Sequence, residues 1–170
     1  MADLLQSLQF DDRVVFVTGA GAGIGRATAL AFARLGAAVA STDIDGASAR
    51  ETARAIAGEG GAAAAWQLDV AVEADVDRIV AEALARFGRI DVLVNNAGVG
   101  ARVATVDMPT ERWDRVVDVG LNGVFYSSRA VGRHMLERRA GAVVNVSSIM
   151  GLTGGGLYPT RPITPSKGRW

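Results

Sequence analysis

The sequence predicts an α/β fold in which a doubly wound parallel sheet is covered by helices on both faces. Short apolar runs of strand length alternate along the chain with longer segments whose apolar residues recur at helical spacing. The strand-length runs are continuously apolar, as in the Val-Val-Phe-Val sequence of 14–17, which is typical of strands buried on both faces of a sheet. Polar residues follow these runs, where α/β sheets bind their ligands.

Five strands and five helices account for the alternation. The predicted strands cover about 13–18, 37–42, 62–68, 90–94 and 142–146. The predicted helices cover about 23–36, 47–59, 76–87, a segment that begins at Thr110, and 121–138. The third strand is the weakest of these predictions, because the consecutive alanines at 62–65 favour a helix by intrinsic propensity. A strand is preferred there, since glycines precede the segment and Asp69-Val70 follows it.

A glycine-rich loop joins the first predicted strand to the first predicted helix. Residues 18–25 read Thr-Gly-Ala-Gly-Ala-Gly-Ile-Gly and fit a G-x-x-x-G-x-G spacing. Because glycine lacks a Cβ atom, backbone N–H groups can approach a diphosphate closely, and the helix N-terminus adds a positive dipole end. The alternative is a glycine-rich turn that binds no ligand. The residues that we expect to bind a cofactor here are Gly19, Gly21, Gly23, Ile24 and Gly25.

An acidic residue, Asp43, lies 18 residues after Gly25, at the end of the second predicted strand. A carboxylate at this position can accept hydrogen bonds from the ribose of adenosine and repels a 2′-phosphate. The glycine loop at 18–25 contains no lysine or arginine. These charges favour NAD over NADP as the cofactor. The alternative is a structural role, in which Asp43 or Asp45 caps the helix that follows.

Composition argues against several other classes of function. The chain has 170 residues, 49% of them hydrophobic, which suits one domain with a real core. Basic and acidic residues balance at 18 each, so charge gives no reason to expect nucleic acid or a membrane surface as a partner. No cysteine is present, and the single histidine, His134, has no cluster of metal ligands around it, so no metal is expected. Without a visible signal peptide or a membrane-spanning apolar run, a cytoplasmic location is expected.

Polar residues follow every predicted strand. They are Thr18, Asp43, Asp69, Asn95, Asn96, Ser147 and Ser148. Because the carboxyl ends of parallel strands meet at one edge of the sheet, these side chains are candidates for a single site.

With these motifs in place, the sequence resembles the short-chain dehydrogenase/reductase family. The resemblance covers about residues 10–152. It is carried by the glycine loop, Asp69-Val70, Asn95-Asn96-Ala97-Gly98, residues 113–125 and Asn145-Val146-Ser147-Ser148. It implies a Rossmann-type, three-layer α/β/α fold. It also implies that Asp69 and Val70 border the adenine ring of the cofactor. The residues that it implies along the rest of the cofactor are Asn96, Ala97 and Gly98.

The resemblance implies hydride transfer between a nicotinamide cofactor and a small-molecule alcohol or carbonyl substrate, with Ser148 as the catalytic serine. The family's catalytic tyrosine and lysine positions hold Arg161 and Pro165, and the position of its catalytic asparagine holds Gly120. The expected function is therefore that of an NAD(P)-dependent oxidoreductase. The alternative is a catalytically inactive, nucleotide-binding remnant of such an enzyme.

The resemblance also predicts an incomplete, C-terminally truncated domain. About five of the family's usual seven strands are visible, which gives a dinucleotide-binding domain over 1–152 and an irregular tail over 153–170. The fifth strand should then be an exposed apolar edge at 143–146. Such an edge favours association, so a homo-oligomer is one expectation.

Overall fold

The computed structural model describes residues 9–101 and 103–148, which form one parallel sheet with helices packed on it. The strands are β1 (Val14–Thr18), β2 (Ala38–Asp43), β3 (Ala63–Gln67), β4 (Val92–Asn95) and β5 (Ala142–Asn145). The helices are α1 (Gly23–Arg34), α2 (Gly46–Gly58), α3 (Glu73–Phe87), α4 (Thr110–Val117) and α5 (Gly123–Arg138). A 3₁₀ turn spans Thr105–Asp107, and a π-helical turn at Asp118–Asn122 joins α4 to α5. The expectations for the tail at 153–170, with Arg161 and Pro165, fall outside the described residues.

The sheet has the strand order β3-β2-β1-β4-β5, and every pairing is parallel. Strand β1 is central. Strands β2 and β3 follow in order on one side of it, and β4 and β5 follow in order on the other side. The order of strands thus reverses between β1 and β4, where a crevice forms at the carboxyl ends of the strands. The predicted doubly wound α/β fold is confirmed.

Side chains of β1 alternate between two apolar cores, one on each face of the sheet. The first core includes Val14, Phe16, Leu93, Val76, Ile79 and Val131. The second includes Val15, Val17, Val39, Ala29 and Ile56. Helices α3 and α5 supply the helical residues of the first core, and α1 and α2 supply those of the second. Both faces are therefore covered, which explains why the strands are continuously apolar in sequence.

The alanine-rich segment is a strand, as predicted, despite its helical propensity. Ala64 of β3 lies opposite Ala40 of β2, in a parallel ladder that runs from Ala63 to Gln67. Trp66 of this strand packs against Phe87 of α3 in an edge-to-face contact, with the ring centroids 6.2 Å apart. Pairing with β2 and this aromatic contact outweigh the small intrinsic preference of alanine for a helix.

Strand β5 is the outer strand on the other side of the described sheet. All of its residues are exposed, and Val143 and Val144 keep 43% and 46% of their surface accessible. The predicted exposed apolar edge is thus present in the described part of the chain.

A buried carboxylate, Asp91, joins the elements at the opposite, amino edge of the sheet. It accepts hydrogen bonds from the backbone N–H of Val14 at 2.9 Å, from Nε of Arg89 at 2.8 Å and from Nη2 of Arg138 at 3.2 Å. Burial raises the pKa of Asp91, but these donors outweigh it and hold the pKa at about 2. Asp91 therefore links the starts of β1 and β4 to the end of α5, at the end of the sheet opposite to the carboxyl ends of the strands.

Candidate functional site

A cavity of about 390 Å³ lies at the carboxyl edge of the sheet, across the ends of β1 to β4. Its described lining consists of Gly19, Ala22, Gly23, Ile24, Asp43, Ile44, Leu68, Asp69, Val70, Asn96, Ala97, Gly98, Val99, Arg115 and Val119. This is the position at which the strand order reverses, and open α/β sheets bind ligands there.

Most of the predicted cofactor residues line this cavity. They are Gly19, Gly23, Ile24, Asp43, Asp69, Val70, Asn96, Ala97 and Gly98. Gly21 and Gly25 are not part of the lining and instead shape the loop. The backbone N–H of Gly21 donates to Oδ2 of Asp43 over 2.9 Å. A Cβ atom at Gly25 would overlap the carbonyl oxygen of Gly19, so only glycine fits there.

The glycine loop presents open backbone to the cavity. Gly23 has a φ of +53°, and a Cβ atom built on it would meet no atom within 4 Å. Helix α1 begins at this residue, and its N-cap, Ala22, makes no side-chain capping hydrogen bond. The first-turn N–H groups of an α-helix have no partner within the helix, so those of α1 can bind an anion.

Thr18 and Asn96 fasten the end of β4 to the glycine loop. The Asn96 Nδ2 atom donates to the carbonyl oxygens of Thr18 and Gly19, at 3.0 and 3.1 Å. The Thr18 hydroxyl accepts from the backbone N–H groups of Asn96 and Ala97 and donates to the carbonyl oxygen of Val94. These bonds hold the loop in position.

The two candidate helix caps, Asp43 and Asp45, have different roles. Asp45 is the N-cap of α2: it accepts from the backbone N–H of Ala47 at 2.9 Å and from the hydroxyl of Ser48. These hydrogen bonds, with that from the Ser48 hydroxyl the largest, lower the pKa of Asp45. Asp43 instead lines the cavity, where its carboxylate accepts from the N–H groups of Gly21 and Asp45. Each oxygen of Asp43 is thereby oriented and retains a lone pair for a ligand.

Asp69 lines the cavity beyond the end of β3 and forms an ion pair with Arg115 that was not predicted from the sequence. Its carboxylate accepts from the backbone N–H of Ala71 at 3.0 Å and from Nη1 of Arg115, which lies 3.3 and 3.1 Å from the two oxygens. The backbone N–H of Asp69 donates to Asp75 in the first turn of α3. No sequence pattern places α4 over the end of β3, so nothing in the sequence marked Arg115.

Two positions that bear on the predicted catalytic site are not among the described residues that line this cavity. Ser148 is half-buried, three positions beyond β5, and does not belong to the described lining. Gly120 is buried in the π-helical turn, and the nearby Asn122 donates from Nδ2 to Oδ1 of Asp118 over 2.8 Å. Asn122, like Ser148, is not among the described lining residues.

Asparagines join the ends of β4 and β5 to α5. The Nδ2 atom of Asn95 donates to Oδ1 of Asn145 at 2.9 Å and to the hydroxyl of Ser128 at 3.0 Å. This pair fixes the carboxyl end of β5, from which the chain continues to Ser147 and Ser148.

Two other features are absent from the described residues. No group of three or more histidine, cysteine or acidic residues there could hold a metal ion. None of the described helices is long and apolar enough to cross a membrane.

Comparison with known proteins decides the family. A family model described as short chain dehydrogenase matches residues 13–160. The chain belongs to the short-chain dehydrogenase family. It is 49% identical over 145 residues to a probable oxidoreductase, EphD, of Mycobacterium tuberculosis, and the match covers 82% of this chain and 24% of that protein. It is 37% identical over 147 residues to the 3-oxoacyl-[acyl-carrier-protein] reductase FabG of Thermotoga maritima, covering 86% of this chain and 60% of that protein.

Solved structures of two dehydrogenases share the fold. An NAD⁺-bound xylitol dehydrogenase matches with a TM-score of 0.87 and 34% identity, covering 94% of this chain and 61% of the other. A 7α-hydroxysteroid dehydrogenase in complex with NADH and 7-oxo glycochenodeoxycholic acid matches with a TM-score of 0.86 and 29% identity, covering 95% and 62%. The chain therefore spans less than two thirds of the length of these relatives.

Proposed function

We propose that this chain binds NAD at the carboxyl edge of its sheet and is an NAD-dependent oxidoreductase of short-chain type. The observation that carries the proposal is the arrangement of Asp43 and the glycine loop around one cavity. Gly23 leaves space where a Cβ would stand, and the N-terminus of α1, where the N-cap makes no side-chain hydrogen bond, is suited to bind an anion such as a diphosphate. The structural relatives described as holding NAD⁺ or NADH support a nicotinamide cofactor here.

The charge at Asp43 favours NAD over NADP. Its carboxylate is held by the N–H groups of Gly21 and Asp45, at 2.9 and 3.0 Å, and so cannot easily turn away from the cavity. An oriented carboxylate accepts hydrogen bonds from ribose hydroxyls and repels a 2′-phosphate. The loop residues 18–25 offer no lysine or arginine to neutralise such a phosphate.

The bound cofactor would supply a hydride acceptor or donor, and the substrate class that fits it is a small-molecule alcohol or carbonyl compound. The chain's own residues bind and orient the cofactor. Exposed Ile24, at 66%, and Val99, at 41%, supply apolar surface beside the glycine loop that can exclude water when covered. Ser148, beyond β5, is the proposed hydrogen-bond donor to the substrate oxygen.

Calorimetric titration of the 170-residue chain with NAD and with NADP tests cofactor binding. We expect saturable heat with NAD and an affinity for NADP at least roughly 10-fold weaker, the scale of one charged hydrogen bond. Equal affinities would contradict the role of Asp43, and no heat with either dinucleotide would contradict the proposed cofactor site.

A second candidate is a nucleotide-binding module without turnover. Gly120, at the position where the family resemblance implies a catalytic asparagine, favours it, because glycine has no side chain to hold a water or a proton. An assay of NADH absorbance with NAD and a panel of secondary alcohols separates the two. Turnover that is lost in Ser148→Ala supports the oxidoreductase, whereas NAD binding without turnover supports the second candidate.

A further inference from the structure

The cavity carries a single cation among its described lining residues. Asp43 and Asp69 supply two carboxylates, and Arg115 supplies the one positive charge. Arg115 lies on α4, and its guanidinium reaches Asp69 across 46 positions of sequence. The side chain of Arg115 is 41% exposed and that of Asp69 28% exposed, so the pair lies at the rim of the cavity and is not enclosed in the core.

The lining of the cavity contains apolar side chains that suit a flat, mostly apolar ring. They are Ile44, Leu68, Val70 and Val119, and the carboxylate of Asp69 is a polar group of the same lining. In the order of the sheet, β2 with Asp43 lies between β1 and β3. A dinucleotide held with its diphosphate at the glycine loop and its ribose at Asp43 thus extends its purine toward Asp69. This step rests on the proposed function.

The ion pair with Arg115 limits what Asp69 can do. One nitrogen, Nη1 of Arg115, lies within hydrogen-bond distance of both carboxylate oxygens, and the N–H of Ala71 donates to Oδ1. Held from two directions, the carboxylate cannot rotate freely. An ionised carboxylate only accepts hydrogen bonds, so its remaining lone pair on Oδ2 suits an amino group and repels a carbonyl oxygen.

We propose that Arg115 is a specificity-determining positioning residue: by fixing the carboxylate of Asp69, it makes the cavity prefer a 6-amino purine to a 6-oxo purine. Without Arg115, Asp69 can turn toward solvent and no longer meets the edge of the ring. The preference between the two purines then falls even where the dinucleotide still binds through its diphosphate and ribose.

The test compares binding of NADH with that of reduced nicotinamide hypoxanthine dinucleotide, whose purine carries an oxygen at position 6. Both are fluorescent, so each dissociation constant can be measured by titration. We expect the unaltered chain to prefer NADH by roughly 10-fold or more, and Arg115→Met to reduce this ratio to within about threefold. Arg115→Lys keeps the charge on a flexible stem and should give an intermediate ratio.

Arg112→Met is the matched control, since Arg112 lies on the same helix but is exposed and outside the cavity lining. Its ratio should equal that of the unaltered chain. A general loss of stability would weaken both dinucleotides together and leave the ratio unchanged, so an unchanged ratio in Arg115→Met overturns the inference. If Arg115→Met does not fold, the ratio in Arg115→Lys decides in the same way. Binding of neither dinucleotide to the unaltered chain overturns the proposed function and, with it, this inference.

Discussion

The side-chain amide of Asn96 donates a hydrogen bond to the carbonyl oxygen of Gly19 over 3.1 Å, so the end of β4 holds the first glycine of the loop. A second bond from the same Nδ2 atom reaches the carbonyl oxygen of Thr18. We expect Asn96→Ala to leave both carbonyls without this donor and to lower the free energy of unfolding by about 1–3 kcal/mol. Because the loop loosens, NAD affinity should fall too. Urea denaturation and calorimetric titration measure the two effects.

Asn122→Ala is the control for this variant. It also removes one side-chain hydrogen bond, the one from Asn122 to Asp118, but neither of these two residues is among the described lining of the cavity. Its stability should fall by a smaller amount, with NAD affinity unchanged. Equal losses of affinity in both variants would show that Asn96 has no specific role in holding the loop.

Two glycines of the loop should respond to alanine in different ways. At Gly25 a Cβ atom would overlap the carbonyl oxygen of Gly19, so Gly25→Ala should cost about 3 kcal/mol or more of stability. At Gly23 the space is open, so Gly23→Ala should lower the free energy of unfolding only by the strain of its positive φ of +53°, about 1–2 kcal/mol. Gly23→Ala should therefore fold but bind NAD poorly, because its methyl group occupies the approach to the N-terminus of α1.

Circular dichroism, which reports folding, and titration with NAD together distinguish the two variants. A well-folded Gly25→Ala that binds NAD normally would contradict this account of the loop.

The Asp91 carboxylate predicts how stability depends on pH. Its pKa in the folded chain is about 2, below the ordinary value of 3.8, because hydrogen bonds from Arg89, Val14 and Arg138 outweigh its burial. Since the folded pKa is the lower one, Asp91 contributes about 2 kcal/mol above pH 4, and this contribution is lost as the pH falls from about 4 to 2. Asp91→Asn should be less stable than the unaltered chain at pH 6, and the difference should shrink toward pH 2. Urea midpoints measured across this range test it, and a difference that does not change with pH would refute the role of the charge.

The exposed edge at β5 predicts self-association of the 170-residue chain. Val144 is 46% exposed on this strand, which pairs with β4 alone among the described residues, and the outer edge of such a strand can pair with a further strand. We expect concentration-dependent early elution in size-exclusion chromatography, shifted toward the monomer in Val144→Lys. Val106→Lys, at a residue 91% exposed in the 3₁₀ turn, adds the same charge away from the edge and should have no effect. A stable monomer for the unaltered chain at every concentration would rule out this association.

Much of the fold could be predicted from sequence because the burial of an element determines the pattern of apolar residues within its own segment. The continuous apolar runs of β1 and β4 and the helical spacing of α3 follow directly from it. The alanine-rich β3 was harder to predict, since its strand state depends on pairing with β2, a partner that local propensity does not contain. No pattern indicated the π-helical turn at Asp118–Asn122.

The residues of the candidate site that lie at the ends of strands could be predicted from the sequence. The residue that a packed helix contributes could not. Asp43 and Asp69 mark strand ends in the sequence, and both line the cavity. The sequence left open which of Asp43 and Asp45 caps α2, because the choice depends on the direction of each side chain. Arg115 could not be found at all, since its partner Asp69 is 46 positions away in the chain.

The most direct test of the proposed NAD site changes one charge at Asp43. Asp43→Asn keeps the shape of the side chain and an oxygen for the N–H of Gly21, while its amide nitrogen replaces the oxygen that accepts from the N–H of Asp45. It removes the charge that we propose to lie against the ribose. Asp45→Asn is the matched control, because asparagine caps a helix as well as aspartate does and Asp45 lies outside the cavity lining. Calorimetry should show NAD binding weakened roughly 10-fold and NADP binding relatively improved in Asp43→Asn, with both affinities unchanged in Asp45→Asn. The same ratio of NAD to NADP affinity in all three proteins would contradict the proposed site.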